Sequence, residues 1–331
     1  MAARSWYSRS ITTLGRLGAP GVMSGPTMAS GITSAHDQFL YVSDTQRGAI
    51  HAFTIDQTSG ALTIVPGSPF SPSGLSTFSP LALVADTVLY ANAPDGITGF
   101  TLGSNGALLT VVGSPYSGGF NGQAALGQSN TSPINYFLYA TNFTDPNGAI
   151  SVFSIVYPPS GILTPVPGNF TTGAFSDPDG IVFDSSFSTS FVFVALNNAS
   201  KIVAFSVDAT TGALTPVPGS PFASGSEPVF LALNAEQNFL YALNFSGSIS
   251  AYRIATNGGL TPVRGSPFTV GAHPGSIAIT GDNYLYVTLP ASDIIEGFSI
   301  SNPDGDLTPL VGSPFPAIAP GLLSLVQIRQ P

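Results

Sequence analysis

The sequence predicts an all-β fold, a propeller of four-stranded antiparallel blades, on the strength of one repeated motif and the segments around it. The motif Gly-Ser-Pro-Phe/Tyr begins at Gly67, Gly113, Gly219, Gly265 and Gly312, and a degenerate copy begins at Gly168. Successive motif glycines are 46, 55, 51, 46 and 47 residues apart, close to the ~40–50 residues of a propeller blade. No segment shows a sustained helical period.

Each repeat contains four short strand-like segments, most clearly between residues 228 and 279. The segments are 228–233, 239–244, 249–254 and 260–268, and the next repeat begins at Pro274. They are rich in Phe, Tyr, Val, Ile and Thr and are separated by Gly, Asn and Pro, which is the usual signature of strands joined by turns.

The chemistry of the segments predicts their radial order. The first segment carries small or medium residues such as Ala82 and Ala232, which suits an innermost strand where neighbouring blades converge. The fourth carries internal prolines such as Pro216 and Pro262. Because proline cannot donate to a strand ladder, this segment is expected at the outer edge.

The sequence is compatible with two blade counts, seven and six. Innermost-type segments number seven and start near Pro26, Pro80, Gly122, Pro178, Pro228, Pro274 and Pro320, whereas the other segment types number six. We favour seven blades, with segment 320–328 completed by an N-terminal strand at 11–18, so that both termini close the ring. The alternative is six blades with a terminal strand exchanged into the first. Either way, 1–25 is an N-terminal segment and 26–331 a single propeller domain.

The composition excludes some classes of partner and indicates a cellular location. The net charge is −9 and only 8% of residues are charged, so no basic stripe exists to follow a nucleic-acid backbone. No apolar run is long enough to span a membrane. Few charges, a single lysine and an abundance of Ser, Thr and Asn favour an extracellular or cell-surface protein, although no signal peptide is evident in residues 1–18. Asn-x-Ser/Thr triplets, which are glycosylation acceptors in a secreted protein, occur at Asn130, Asn142, Asn169, Asn198 and Asn244.

One repeat resembles a known family. The segments FLYVSD at 39–44, IHAFTI at 50–55 and GALTIVPGSPF at 60–70 are similar to a blade of the lactonase-type seven-bladed β-propellers, which include the propeller form of 6-phosphogluconolactonase and the YVTN-repeat surface proteins. The resemblance covers about 26–328 and implies hydrolysis of a sugar lactone. A phosphorylated substrate needs cations at the site, but Arg47, Arg253 and Arg264 fall outside the innermost segments, so a neutral lactone fits better.

A candidate site follows from the repeat alignment. The residue before the proline of each first segment should lie near one mouth of the central channel, and these residues are Gly25, Ser79, Asp177, Glu227, His273 and Ala319. Three consecutive blades thus supply titratable groups that could activate water. We assign Glu227 as base, His273 as acid or orienter, and Asp177 as second carboxylate or ligand of a divalent cation, Ca²⁺ or Mg²⁺. The competing interpretation is that all three are solvated loop residues.

Two functions remain open at this stage. The favoured one is a module that binds a protein or a glycan, or that self-associates, because a surface with so few charges exposes weakly polar area. The alternative is a lactone hydrolase acting at the channel mouth through Asp177, Glu227 and His273.

Overall fold

A computed structural model describes residues 29–316, apart from 36–37, 45–47, 57, 60, 72–80, 85, 94–95, 118–122, 130–133, 143–144, 157–159, 169, 175 and 281–282. These residues form six antiparallel sheets, and in each sheet the hydrogen-bonded order of the four main strands follows the chain. The predicted all-β propeller is therefore confirmed.

The first three blades have four strands each. Blade 1 contains β1 (Ala29–Ala35), β2 (Phe39–Asp44), β3 (Ala49–Ile55) and β4 (Leu62–Ile64). Blade 2 contains β5 (Leu81–Val84), β6 (Val88–Ala93), β7 (Gly96–Leu102) and β8 (Leu108–Thr110). Blade 3 contains β9 (Ala124–Gln128), β10 (Tyr136–Asn142), β11 (Ala149–Val156) and β12 (Ile162–Pro165).

The last three blades each add a fifth, two-residue strand. Blade 4 contains β13 (Pro178–Asp184), β14 (Phe191–Leu196), β15 (Lys201–Val207), β16 (Leu214–Pro216) and β17 (Phe222–Ala223). Blade 5 contains β18 (Pro228–Leu233), β19 (Phe239–Asn244), β20 (Ser248–Ile254), β21 (Leu260–Pro262) and β22 (Phe268–Thr269). Blade 6 contains β23 (Ser276–Ile279), β24 (Tyr284–Leu289), β25 (Ile294–Ile300), β26 (Leu307–Pro309) and β27 (Phe315–Pro316), with one 3-10 turn at Pro290–Ser292.

The described residues form six blades, so the favoured count of seven is wrong and the alternative count of six is correct. The seven-blade count took 320–328 as the start of a further blade, whereas the described residues form six sheets, in which each innermost strand pairs with the second strand of its own blade. Strand β1, for example, pairs antiparallel with β2, from Ala35 opposite Phe39 to Ala29 opposite Asp44. The segments expected to complete a seventh blade, 11–18 and 320–328, and the predicted closure by both termini lie outside the described residues.

The first strands of successive blades contact one another, which places them at the centre as predicted. Contacts run from β1 to β5, β9, β13, β18 and β23 in turn. The two backbones come very near each other where β13 meets β18, because a Cβ atom built on Gly180 would lie 2.7 Å from the carbonyl oxygen of Val229. Only a residue without a side chain fits that spacing.

The predicted fourth segment is divided by its own motif. In blade 5, the segment 260–268 yields two short strands, β21 and β22, which both pair with β20. The Gly-Ser-Pro turn lies between them, with Gly265 at φ 83°. The motif serine compensates for the interrupted ladder, since the Ser266 hydroxyl accepts a 2.9 Å hydrogen bond from the backbone N–H of Ala251.

The same serine contact recurs around the ring and explains why the motif repeats. Equivalent bonds of 2.8 to 3.0 Å join Ser68 to Ala52, Ser114 to Gly99, Ser220 to Ala204 and Ser313 to Gly297. The motif is therefore a structural signature of the blade. Its repetition carries no information about a ligand.

Apolar side chains fill the spaces between neighbouring sheets. One such cluster joins Tyr139 and Val152 of blade 3 to Val192 and Phe205 of blade 4, and a second cluster joins blades 5 and 6. Within the described residues, no helix has the length and apolar character needed to cross a bilayer.

Candidate functional site

Antiparallel pairing brings three parts of each blade to the same end of the propeller. The start of a first strand, the end of the second strand and the turn into the third all lie there. In blade 4 the N–H of Asn197, just after β14, donates a 3.0 Å hydrogen bond to the carbonyl of Asp177, just before β13. In blade 5 the N–H of Phe245 donates a 2.8 Å bond to the carbonyl of Glu227. We call this end of blades 4 to 6, formed by Asp177, 197–200, Glu227, 245–247 and His273, the upper rim.

The three residues singled out from the sequence occupy equivalent backbone positions on the upper rim. Asp177, Glu227 and His273 all have left-handed backbone conformations, with φ of 52°, 58° and 55°. A non-glycine residue in this region costs about 1–2 kcal/mol, and such strain concentrates at functional sites. The repeat alignment therefore identified one recurring step of the fold, filled in three adjacent blades by a titratable residue.

Phe245 connects two of these residues. Its N–H donates to the carbonyl of Glu227, and its own carbonyl accepts a 3.1 Å hydrogen bond from the N–H of His273. The aromatic rings of Phe245 and His273 meet edge to face, with centroids 4.9 Å apart and planes at 72°. Glu227 and His273 are both exposed to solvent, and each is joined to Phe245 by a backbone hydrogen bond.

Asp177 lies one blade further round, on the same rim. It is half-buried, and burial raises the pKa of its carboxyl above the ordinary value. Blades 4 and 5 are linked here by the N–H of Glu227, which donates a long 3.5 Å bond to the hydroxyl of Ser200. Among the described residues, no hydrogen bond or ion pair joins the side chains of Asp177, Glu227 and His273 to one another.

Asp179 is a second carboxyl at this end that the sequence reasoning missed. It is the second residue of β13, an innermost strand, and burial together with the neighbouring Asp177 carboxylate raises its pKa to about 7. A carboxyl with such a pKa can take up or release a proton near neutral pH. A signal was available, because the same step of the repeat carries Val229 in blade 5 and Gly275 in blade 6, and neither of these can ionise.

Residues of blades 3, 4 and 5 converge around the backbone at Asp179. The Thr141 hydroxyl of blade 3 donates a 2.7 Å hydrogen bond to the backbone carbonyl of Asp179. Gln123, also of blade 3, extends its side-chain amide past blade 4 and donates a 3.2 Å bond to the carbonyl of Val229 in blade 5. Gly180 is pressed against that same carbonyl, and Asp179 itself is half-buried.

Metal and phosphate chemistry find little support at the upper rim. In the described part of the chain, no three His, Asp or Glu side chains are grouped so that they could hold a metal ion. Arg253 lies over the ring of Phe239, 4.6 Å from its centroid. Phe239 begins β19 at the opposite end of the propeller, so the Arg253 guanidinium lies away from the upper rim. Lys201 does begin β15 at the upper rim, but in a third strand rather than an innermost one.

The upper rim therefore combines the exposed Glu227 carboxylate, the His273 imidazole and the exposed ring of Phe245. Blade 4, next to them, adds Asp177 and Asp179, two carboxyls whose pKa is raised. Such a set can activate water and protonate a leaving oxygen. It offers few cations for an anionic substrate.

The protein shares the β-propeller fold of 6-phosphogluconolactonase-like structures, although the family resemblance implied seven blades and the described residues form six. A Bacteroides fragilis protein assigned as a 6-phosphogluconolactonase superimposes with a TM-score of 0.67 at 20% sequence identity, over 90% of this chain and 86% of that one. The periplasmic gluconolactonase of Pseudomonas aeruginosa superimposes with a TM-score of 0.68 at 17% identity, over 90% and 87%. Virginiamycin B lyase from Staphylococcus aureus superimposes with a TM-score of 0.55 at 15% identity, over 86% and 85%. No protein-family model and no curated protein matches the sequence.

Proposed function

We propose that this protein is a lactone hydrolase whose site is the upper rim of blades 4 to 6. The observation that carries the proposal is that Asp177, Glu227 and His273 occupy the same left-handed backbone step in three adjacent blades. Strained backbone at a set of titratable residues is a feature of functional sites. The backbone of Phe245 is hydrogen-bonded to both Glu227 and His273, and its ring contacts the His273 imidazole.

The names of similar structures favour hydrolysis over the binding-module interpretation. Two of the three proteins described above are a gluconolactonase and a protein assigned as a 6-phosphogluconolactonase. The third is a lyase, so the fold alone does not determine the reaction. The periplasmic location of one of these proteins agrees with the extracytoplasmic location that we propose for this chain.

The reaction needs a base, an acid and a positioned water. The Glu227 carboxylate accepts a proton from water as the water oxygen forms a bond to the lactone carbonyl carbon. The bond from that carbon to the ring oxygen then breaks, and the protonated His273 imidazole gives its proton to the departing oxygen. The product is the open hydroxy acid. Asp177 is the second carboxylate at the rim and Asp179 is a proton acceptor behind it.

The substrate we propose is neutral. A phosphorylated lactone would be held by arginine in a two-pronged ion pair, and the described arginines, Arg253 and Arg264, belong to a third strand and an outer edge. The acidic character of the chain, with a net charge of −9, also disfavours an anionic substrate.

The test is a pH-stat assay of the purified chain with glucono-1,5-lactone and its 6-phosphate, with and without Ca²⁺ or Mg²⁺. We expect hydrolysis of the neutral lactone above the spontaneous rate. Glu227→Gln should remove at least about 99% of the activity, in line with the ~10²–10⁴-fold contribution of general acid–base catalysis, and should leave the melting temperature unchanged.

The control is Glu236→Gln, which alters an exposed carboxylate at the opposite end of blade 5 and should retain full activity. Full activity in Glu227→Gln would show that the site is elsewhere. No hydrolysis of either lactone by the unaltered chain would refute the proposed function.

A further inference from the structure

We propose that Phe245 is the specificity-determining residue of the upper rim, and that its exposed face stacks on the C–H face of a sugar-lactone ring. The inference rests on the proposed function and names a residue that selects the substrate, rather than one that performs the chemistry. Three observations support this role: the Phe245 ring is exposed, its backbone is fixed by hydrogen bonds, and the equivalent positions of the neighbouring blades are not aromatic.

The exposure of Phe245 contrasts with the aromatic residues beside it in sequence. Its side chain is 41% exposed, whereas Phe239 and Tyr241 in the preceding strand are at most 1% exposed. Transfer of a phenylalanine ring from water to a contact surface is favourable. An exposed ring at the mouth of a propeller is therefore a surface that a ligand can cover.

The backbone of Phe245 is fixed on both sides before any ligand arrives. Its N–H is bonded to Glu227 in the same blade and its carbonyl to His273 in the next blade. The ring also has an edge-to-face contact with the His273 imidazole. A ring already held in place loses little conformational freedom when a ligand stacks on it.

The geometry points to a sugar rather than to a flat aromatic or a peptide. One face of a pyranose-type ring presents C–H groups, whose slight positive charge is attracted to the negative face of an aromatic ring. The edge of the same sugar carries hydroxyl groups, which need hydrogen-bond partners. Glu227 and His273, whose backbones are bonded to that of Phe245, are exposed polar residues that supply such partners. A ring stacked here would place its lactone carbonyl beside the proposed base and acid.

The repeat shows that the fold does not require an aromatic residue at this step. The equivalent residue is Asn197 in blade 4 and Pro290 in blade 6, and Asn197 makes the same backbone bond to the loop before its first strand. Replacement of the Phe245 side chain should therefore leave the blade intact.

The test compares Phe245→Ala, Phe245→Leu and Phe245→Tyr in steady-state hydrolysis of glucono-1,5-lactone. Because stacking acts on the bound substrate and the transition state alike, KM should rise with little change in kcat. We expect KM to rise roughly 5- to 10-fold for the Ala variant, the size of one aromatic contact. The Leu variant should resemble the Ala variant, and the Tyr variant should resemble the unaltered chain.

Two controls separate stacking from a general effect. Tyr284→Ala removes an aromatic residue of similar exposure, 39%, which begins β24 at the opposite end, and KM should not change. With γ-butyrolactone, a small ring without hydroxyl groups, Phe245→Ala should change KM less than about twofold. An unchanged KM for glucono-1,5-lactone in Phe245→Ala, or full rescue by Leu, would overturn the inference while the proposed function stands.

A second measurement does not depend on hydrolysis. Ligand-observed NMR with glucono-1,5-lactam, which the proposed reaction does not open, should show saturation transfer to the ring C–H protons that is lost in Phe245→Ala. Binding of the lactam without lactone turnover would refute the proposed function. In that case, loss of lactam binding in Phe245→Ala would support the stacking role, and retained binding would overturn it. Neither binding nor turnover by the unaltered chain would overturn both.

Discussion

The hydroxyl of Tyr41 in blade 1 donates a 2.9 Å hydrogen bond to the carbonyl oxygen of Gly106 in blade 2. The tyrosine lies at the centre of the second strand, fully buried, and the glycine lies in the turn before the fourth strand of the next sheet. The same bond recurs from Tyr90 to Gly161, from Tyr139 to Gly212 and from Tyr241 to Gly305, at 2.6 to 3.1 Å. Each bond ties one blade to the next through an otherwise apolar interface.

Removal of one of these hydroxyls should weaken the joint between two blades. Tyr241→Phe takes away the donor and leaves the Gly305 carbonyl in a buried interface. The free energy of unfolding should fall by about 1–3 kcal/mol, the cost of a buried polar group left without its partner. Urea denaturation followed by circular dichroism measures this directly, and a change below about 0.5 kcal/mol would show that the hydroxyl contributes little.

Blade 4 offers the reciprocal experiment. Phe193 occupies the tyrosine position there, and Gly258 is the matching turn glycine, packed on Phe191 as Gly106 is packed on Phe39. Phe193→Tyr should therefore supply the missing bond and raise the free energy of unfolding by about 0.5–1.5 kcal/mol. A loss of stability would mean that the turn of blade 5 has no room for the additional oxygen.

The order of strands within a blade could be read from the sequence because local chemistry determines it. Proline ends the outer strands β16, β21 and β26, and small residues occur where the first strands converge. The number of blades could not be read, because an innermost-type segment resembles any other until its pairing partner is known. Six such segments pair with the second strand of their own blade, and the seventh, 320–328, lies outside the described residues.

For a related reason, the sequence predicted only some of the residues of the candidate site. The repeat alignment identified Asp177, Glu227 and His273 because they share one backbone step. It missed Asp179, which the sequence presents as part of an ordinary Asp-Pro-Asp-Gly turn. The raised pKa of Asp179 arises from burial and from the Asp177 carboxylate. Its environment includes residues distant in the chain, such as Thr141, whose hydroxyl donates to the Asp179 carbonyl.

Asp179 should make the protein less stable as the pH rises from about 4 to about 7. In the folded state its pKa is raised to about 7, whereas in the unfolded chain the value is about 4. Between these values only the unfolded state releases the proton, so the free energy of unfolding falls with increasing pH and levels off above 7. Asp179→Asn should remove this loss and raise the melting temperature at pH 8 by at least about 2–4 °C.

Asp208→Asn is the comparison with the opposite sign. Hydrogen bonds from Thr211 and Thr210 lower the pKa of this exposed carboxyl, so it stabilises the fold above its unfolded pKa and that contribution is lost as the pH falls. Its replacement should reduce the melting temperature slightly at pH 8. If the melting temperatures of Asp179→Asn and of the unaltered chain changed by the same amount between pH 4 and pH 8, the assigned burial of Asp179 would be contradicted.

Asn198 and Asn244 should differ in glycosylation, although both begin an Asn-x-Ser triplet. Asn198 is exposed in the turn after β14. Asn244 is fully buried, and its side-chain amide donates to the hydroxyls of Ser248 and Ser250. When the chain is secreted from a host that glycosylates this sequence motif, Asn198→Gln should remove one glycan by intact mass, and Asn244→Gln should remove none. A glycan on Asn244 would mean that its turn opens before the blade has folded.

Glu227→Gly should separate stability from activity at the upper rim. The left-handed backbone at Glu227 costs about 1–2 kcal/mol for an L-residue, and glycine removes this cost but loses about 0.5–1 kcal/mol in chain entropy. The net expectation is a gain of about 0.5 kcal/mol in the free energy of unfolding, together with loss of the proposed hydrolysis. Asp86→Gly is the matched control, because Asp86 has the same backbone conformation, with φ 56°, in an exposed turn at the opposite end. It should gain similar stability and keep full activity. If Glu227→Gly instead destabilises the protein while Asp86→Gly stabilises it, the Glu227 side chain contributes to the fold, and the strain at this step is no sign of a site.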